Sequence, residues 1–119
     1  MKNHTELIVW KKGIELVTLV YNMSMSFPDS EKFGLSSQMR RCSVSIPSNI
    51  AEGFARKGNA EFQYFLRVAY GSTAELETQL IISKNLGFTS ELDFVKVNEQ
   101  LIEIRKMLNA LIKKLSTKY

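Results

Sequence analysis

The chain has 119 residues, of which 45% are apolar and 24% are charged, a composition typical of one folded domain and unlike that of a disordered segment. Cys42 is the only cysteine, which excludes an intramolecular disulfide, and no apolar run approaches the ~20 residues needed to cross a bilayer. The net charge of +4 is mildly basic, so it allows a polyanionic partner without requiring one. The first residues lack the long hydrophobic region of a signal peptide, and we expect a cytoplasmic protein without a membrane partner.

The first predicted helix covers residues 5–26 and carries two apolar stripes. The seam consists of residues spaced three and four apart: Leu7, Trp10, Ile14, Val17 and Tyr21. A second set widens it: Leu16, Val20, Met23 and Phe27. Pro28 ends the helix. Because apolar residues cover more than half of the circumference, this helix is predicted to offer a surface to a further partner.

The second predicted helix covers residues 35–57, although serines, a proline and a glycine crowd its middle. Its apolar stripe repeats every three or four residues: Leu35, Met39, Cys42, Ile46, Ile50 and Phe54. A polar stripe runs opposite: Gln38, Arg41, Ser45, Ser48, Glu52 and Arg56. Pro47 removes one backbone hydrogen bond and is predicted to bend the helix there.

The third predicted helix covers residues 60–86, after an N-cap at Asn59 and before a stop at Gly87. Gly71 and Ser72 lie in its middle, where glycine costs about 1 kcal/mol of helix propensity relative to alanine. We interpret these small residues as allowing a neighbouring helix to approach closely.

The fourth predicted helix covers residues 90–116 and has the clearest pattern. Its apolar residues repeat as an unbroken heptad: Phe94, Val97, Leu101, Ile104, Leu108, Leu111 and Leu115. Ser90 and Asp93 fit a capping box at its start. Acidic residues precede basic ones along the helix, as the helix macrodipole favours. Four helices with short connectors predict an all-α, up-down-up-down antiparallel four-helix bundle, slender because its helices are long for so small a domain.

The sequence offers little for catalysis, and we expect no enzyme, no metal site and no cofactor. His4 is the only histidine and lies near the start of the chain, so a Ser-His-Asp triad or a Glu-x-x-His metal motif has little to work with within one chain. The serines of the second helix have no base to activate them and are interpreted as packing residues.

The basic residues are the candidates for a binding surface. Residues 35–58 contain four bases against one acid, a local charge of +3: Arg40, Arg41, Arg56 and Lys57 against Glu52. We name as candidate nucleic-acid contacts these four bases with Lys113 and Lys114. Structural ion pairs are the alternative: Glu52 with Arg56 at the i, i+4 spacing, and Glu75 or Glu77 with Arg40 or Arg41 across helices. Pairing is favoured for Arg41, and phosphate contact for the three lysines.

Three segments resemble the family of 23S rRNA-intervening-sequence proteins, once labelled ribosomal proteins. They are "LIVWKKGIELV", "FPDSEKFGLSSQMRRCSVSIPSNIAEGFAR" and "EFQYFLRVAYGSTAELETQL", and the resemblance extends from about Leu7 to Leu115. It implies a bacterial, cytoplasmic four-helix bundle that forms a homopentamer and has no established activity. A related branch, the accessory proteins of diversity-generating retroelements, implies nucleic acid and a reverse transcriptase as partners.

Two functions remain open at this point. One is an oligomeric, non-enzymatic bundle that binds RNA or DNA weakly through its assembled basic surface. The other is a protein-interaction scaffold without a nucleic-acid role, in which the charge serves solubility.

Overall fold

The computed structural model describes residues 2–117, and their regular structure is entirely helical. Short 3-10 turns lie at His4–Glu6 and Asp29–Glu31. The four α-helices are α1 (Ile8–Ser24), α2 (Leu35–Ala55), α3 (Asn59–Asn85) and α4 (Glu91–Ser116). Each helix packs against the next along the chain, and α4 closes the ring onto α1. The predicted all-α four-helix bundle is confirmed, and its extents of 47 × 21 × 20 Å make it a slender rod.

The core face of α1 is not the seam that its spacing indicates. Leu16, Val20 and Met23 are buried, whereas Ile14 and Tyr21 are 43% and 41% exposed. The sequence indicates both apolar stripes without choosing between them, because periodicity shows that a stripe exists but not which stripe meets the neighbouring helices. The helix also begins at Ile8, three residues later than predicted, since Leu7 has an extended backbone.

Helix α2 continues through its crowded middle, as its two stripes predict. Met39, Ile46 and Ile50 are fully buried, and Pro47 lies inside the helix as a buried residue. Gly13 of α1 lies directly against the Pro47 ring: a Cβ atom on Gly13 would be 3.2 Å from Pro47 Cβ. The bend at Pro47 stays a prediction.

The ends of α3 are set by glycines. Gly58 takes the N-cap position in place of the predicted Asn59, which is already helical. At the other end Gly87 has a φ of 73°, and the Phe88 amide donates to the Ser83 carbonyl at 2.9 Å. That bond pattern ends the helix and turns Phe88 back onto the core, where its ring centroid lies 5.6 Å from that of Phe27.

Helix α4 buries its stripe with one change of register. Ser90 caps the helix by accepting from the Asp93 amide at 3.1 Å, as predicted. Near the C-terminus Ile112 is buried, and the predicted Leu111 is only half-buried. An α-helix turns once every 3.6 residues, so a strict seven-residue repeat drifts by about 20° per heptad, and the buried stripe moves by one residue.

Candidate nucleic-acid interface

Four of the six candidate basic residues converge at one end of the rod. Helices α2 and α4 run in the same direction, so Arg56 and Lys57 lie at the same end as Lys113 and Lys114. The Ser116 hydroxyl donates to Gln63 Oε1 at 2.9 Å, which ties the last turn of α4 to the start of α3. All four bases are exposed. We call these four residues the basic end.

Arg56 is the most constrained residue of the basic end. Its Nε lies 2.9 Å from Glu52 Oε2, the i, i+4 pairing that the sequence suggests. A second carboxylate, Glu61, lies 3.6 Å from the guanidinium, which also sits 5.2 Å above the Phe65 ring. With two carboxylates beside it, Arg56 contributes little net charge to the basic end.

The lysines of the basic end differ from Arg56. Within residues 2–117, no carboxylate lies within 4.0 Å of Lys57, Lys113 or Lys114. Their ammonium groups are therefore available to an anion from solution. Lys57 has a φ of 62°, in the left-handed region that a residue with a Cβ atom rarely adopts.

Arg40 lies far from the basic end and points at α1. Its Nε donates to Ser24 Oγ at 2.8 Å, and its guanidinium sits 4.8 Å above the Tyr21 ring. The side chain is half-buried. Among residues 2–117 it forms no ion pair with Glu75 or Glu77, and its contact with a phosphate stays a prediction.

Arg41 is exposed and lines a groove of about 420 Å³ between α2 and α3, with Glu75 on the facing wall. Among the residues the structure describes, no carboxylate comes within 4.0 Å of it, so the predicted Arg41–Glu75 ion pair is not formed. Glu75 instead accepts from Gln79 Nε2 at 3.2 Å.

A half-buried ion pair across helices does exist at Glu77, but its partner is Arg105 rather than the predicted Arg40 or Arg41. Arg105 of α4 lies 3.1 Å from Glu77 of α3, and its guanidinium sits 5.3 Å above the Tyr70 ring. The pair depends on the register of α3 against α4, which no local sequence pattern encodes.

The serines between α2 and α3 act as packing residues. Ser45 Oγ bonds the Cys42 carbonyl at 2.6 Å and the Ser72 hydroxyl at 2.8 Å. The Cys42 thiol lies 3.2 Å from the Ser72 carbonyl. Burial, the negative charge of Glu75 and a hydrogen bond to Glu75 raise the pKa of Cys42 to about 12. The thiol is therefore protonated and unreactive at neutral pH.

The opposite end of the rod is acidic. Asp29 and Glu31 follow α1, and Glu91 and Asp93 open α4. Lys84 lies there as well, 3.5 Å from Glu91 and 4.3 Å from the Phe94 ring centroid. Basic residues thus lie together at one end of the long axis of the bundle, and acidic residues lie together at the other.

The described chain offers neither a metal-binding cluster nor a helix able to span a membrane. Residues 2–117 contain no group of three or more histidine, cysteine, aspartate or glutamate side chains placed to hold a metal ion. In the same residues, no helix has the length and apolar character that crossing a membrane requires.

Comparison with known proteins identifies the relatives of this chain. The family model of the 23S rRNA-intervening sequence protein matches residues 5–110. The crystal structure of a protein of unknown function from the S23 ribosomal protein family of Bacteroides thetaiotaomicron is 26% identical, with a TM-score of 0.82. The match covers 89% of this chain and 96% of that one. No curated protein matches the sequence.

Proposed function

Because the chain belongs to the family of 23S rRNA-intervening sequence proteins, we propose that it is a non-enzymatic bundle that self-associates and binds RNA or DNA weakly. The observation that carries this proposal is the basic end, where Lys57, Lys113 and Lys114 converge without carboxylate partners among residues 2–117. Such side chains contact phosphates without reading base sequence. The proposal places the protein in the cytoplasm, where a lone reduced cysteine is usual.

Self-association is supported by the outer surface of α1 and α2. Ile14 and Tyr21 of α1 and Val44 of α2 are 43%, 41% and 38% exposed. Exposed apolar surface of this kind often marks a contact with another protein. A closed oligomer repeats one basic end per subunit, so the attraction for a polyanion grows with subunit number. The pentamer that the family resemblance implies is the stoichiometry we propose.

Sedimentation tests self-association directly. We expect a species several times heavier than the 13.6 kDa chain at micromolar concentration. A single species of chain mass at that concentration contradicts the oligomer. The double variant Ile14→Ser/Tyr21→Ser is expected to shift the population toward monomer, while Ile81→Ser, on the exposed surface of α3, serves as the control.

Nucleic-acid binding is tested by titrating a labelled RNA or DNA across salt concentrations. We expect the logarithm of the binding constant to fall linearly with the logarithm of salt, and Lys113→Gln/Lys114→Gln to make the slope shallower. The matched control is Lys32→Gln/Lys96→Gln, which removes the same charge outside the basic end. Absence of binding at about 50 mM salt contradicts this function.

A second candidate function is a protein-interaction scaffold with no nucleic-acid role. It is favoured by the engagement of Arg40, Arg56 and Arg105 within the chain, which leaves fewer free cations than the sequence suggests. A reverse transcriptase is the partner that the resemblance implies. Pull-down from nuclease-treated extract separates the two functions, because a scaffold retains its partners after nuclease and a nucleic-acid binder loses them.

A further inference from the structure

A cleft of about 340 Å³ opens at the basic end between the start of the chain and the junction of α2 with α3. The 3-10 turn at His4–Glu6 packs against α2, and Lys2 lines the same cleft as Lys57. Phe54 and Phe62 also line the cleft, with ring centroids 5.7 Å apart and planes at 87°. Two cations and two aromatic rings therefore border one concave surface.

The ammonium groups of the two lysines form no ion pair within the described chain. Among residues 2–117, no carboxylate lies within 4.0 Å of the Lys2 or Lys57 ammonium group, whereas Arg56 nearby has Glu52 and Glu61. Glu6 accepts a hydrogen bond from the Lys2 backbone amide at 2.6 Å and leaves the Lys2 ammonium group unpaired. The backbone of Lys57 is in the left-handed conformation, which glycine adopts without strain. The position following α2 thus has a lysine where the backbone alone favours glycine.

We propose that this cleft binds one nucleotide unit, with the phosphate between Lys2 and Lys57 and the base against Phe54 and Phe62. The inference rests on the proposed nucleic-acid function and names its site. The volume is within the range of small-ligand pockets, about 300–1,000 Å³. Lysine supplies a point charge for phosphate, and an aromatic ring accepts any base because every base has a π-face. Binding is accordingly indifferent to sequence.

The main test is Lys57→Gly, because it separates binding from folding. Removing the left-handed lysine is expected to raise the midpoint of thermal unfolding by about 4 °C. The same variant is expected to weaken binding of a single-stranded oligonucleotide and to make the salt slope shallower by about 0.7, the value for one lost phosphate contact. If the variant is more stable and binds less well, its loss of binding cannot be explained by misfolding.

Lys2→Gln removes the second cation. It is expected to make the salt dependence of oligonucleotide binding shallower by a similar amount, about 0.7. The matched control is Lys96→Gln, an exposed lysine of α4 roughly 30 Å away along the bundle by helical rise. If Lys57→Gly and Lys2→Gln bind no worse than Lys96→Gln, the cleft is not the site. The proposed function then stands on its other basic residues.

Amide chemical shifts distinguish the source of the nucleotide. Adenosine monophosphate and a five-nucleotide single strand are titrated separately, and shifts at Lys57, Gly58 and Phe62 are expected with the strand. Equal shifts with the mononucleotide show that the site takes a free nucleotide. Shifts with the mononucleotide alone uphold the cleft and overturn the nucleic-acid function. No shift with either ligand overturns the cleft.

Discussion

Two glycines in helix interiors have opposite surroundings. A Cβ atom on Gly53 of α2 would lie 2.7 Å from Phe65 Cβ and 3.1 Å from a ring carbon of Phe62, both on α3. A Cβ atom on Gly71 of α3 would have no neighbour within 4 Å among residues 2–117. Gly53 therefore sets how closely α2 and α3 approach, and Gly71 does not.

The comparison corrects the prediction made for Gly71 and Ser72. The close approach occurs at Ser72, whose hydroxyl bonds Ser45, while Gly71 one residue earlier faces outward. Successive helical residues are about 100° apart around the axis, so adjacent small residues lie on different faces. A glycine signals helix contact only on a face that a neighbour occupies.

Gly53→Ala has the largest expected effect. The added methyl group overlaps Phe65, and we expect the free energy of unfolding to fall by about 1–3 kcal/mol despite the better helix propensity of alanine. Urea denaturation measures the change. A variant as stable as the natural chain shows that α2 and α3 can separate at little cost, and that Gly53 does not limit their packing.

Gly71→Ala is the same chemical change on the open face, and it is expected to raise the free energy of unfolding instead of lowering it. Alanine gains up to about 1 kcal/mol of helix propensity with no clash inside the chain. The midpoint of urea denaturation is expected to move to a higher urea concentration. If stability falls instead, or if sedimentation shows weakened assembly, another copy of the chain occupies the face around Gly71.

Gly13→Ala is expected to change stability least of the three, within about 0.5 kcal/mol. A methyl group 3.2 Å from Pro47 Cβ requires a small shift of α1, and this cost offsets the gain in propensity. The measurement is again the midpoint of urea denaturation. It is compared between variants whose free energy of unfolding depends equally steeply on urea concentration. A loss as large as that of Gly53→Ala indicates that α1 is held against α2 as rigidly as α3 is.

Cys42 tests the same α2–α3 interface through its protonation. Its pKa rises from an ordinary 9.0 to about 12, so the folded chain keeps the proton after the unfolded chain has lost it. The contribution of Cys42 to the free energy of unfolding does not change below pH 9, and it falls as the pH rises from 9 to about 12. At pH 8 iodoacetamide is expected to modify Cys42 far more slowly in the folded chain than in urea. Equal rates indicate that the interface opens readily.

The candidate site was predictable where it depends on local spacing. Glu52 and Arg56 are four residues apart on one helix, a pairing that any α-helix brings together, and the structure places them 2.9 Å apart. Arg40 and Arg41 are different, since the residues that they face lie on other helices. Which of two neighbouring arginines turns to α1 and which borders α3 depends on how α2 is rotated in the bundle.

Lys2 shows the same limit. Nothing in its surroundings along the sequence marks it, because it lies 55 positions before Lys57, the difference between residues 2 and 57. The 3-10 turn and its packing against α2 bring the two lysines to one cleft. Along the sequence Lys2 is followed four residues later by Glu6, so no local pattern indicates a cation that borders a distant lysine.

The sequence by itself determined the helical class, the four helices and their approximate limits, because these depend on local terms: apolar periodicity, prolines, glycines and caps. It also determined the family, through the segments around "SIPSNIAEG" and "GSTAELE". Only the tertiary structure decided which stripe of α1 is buried, which glycine is crowded and which arginines are engaged. Those outcomes depend on the rotation and register of whole helices, which are set by the packing of all four faces together rather than by any one of them.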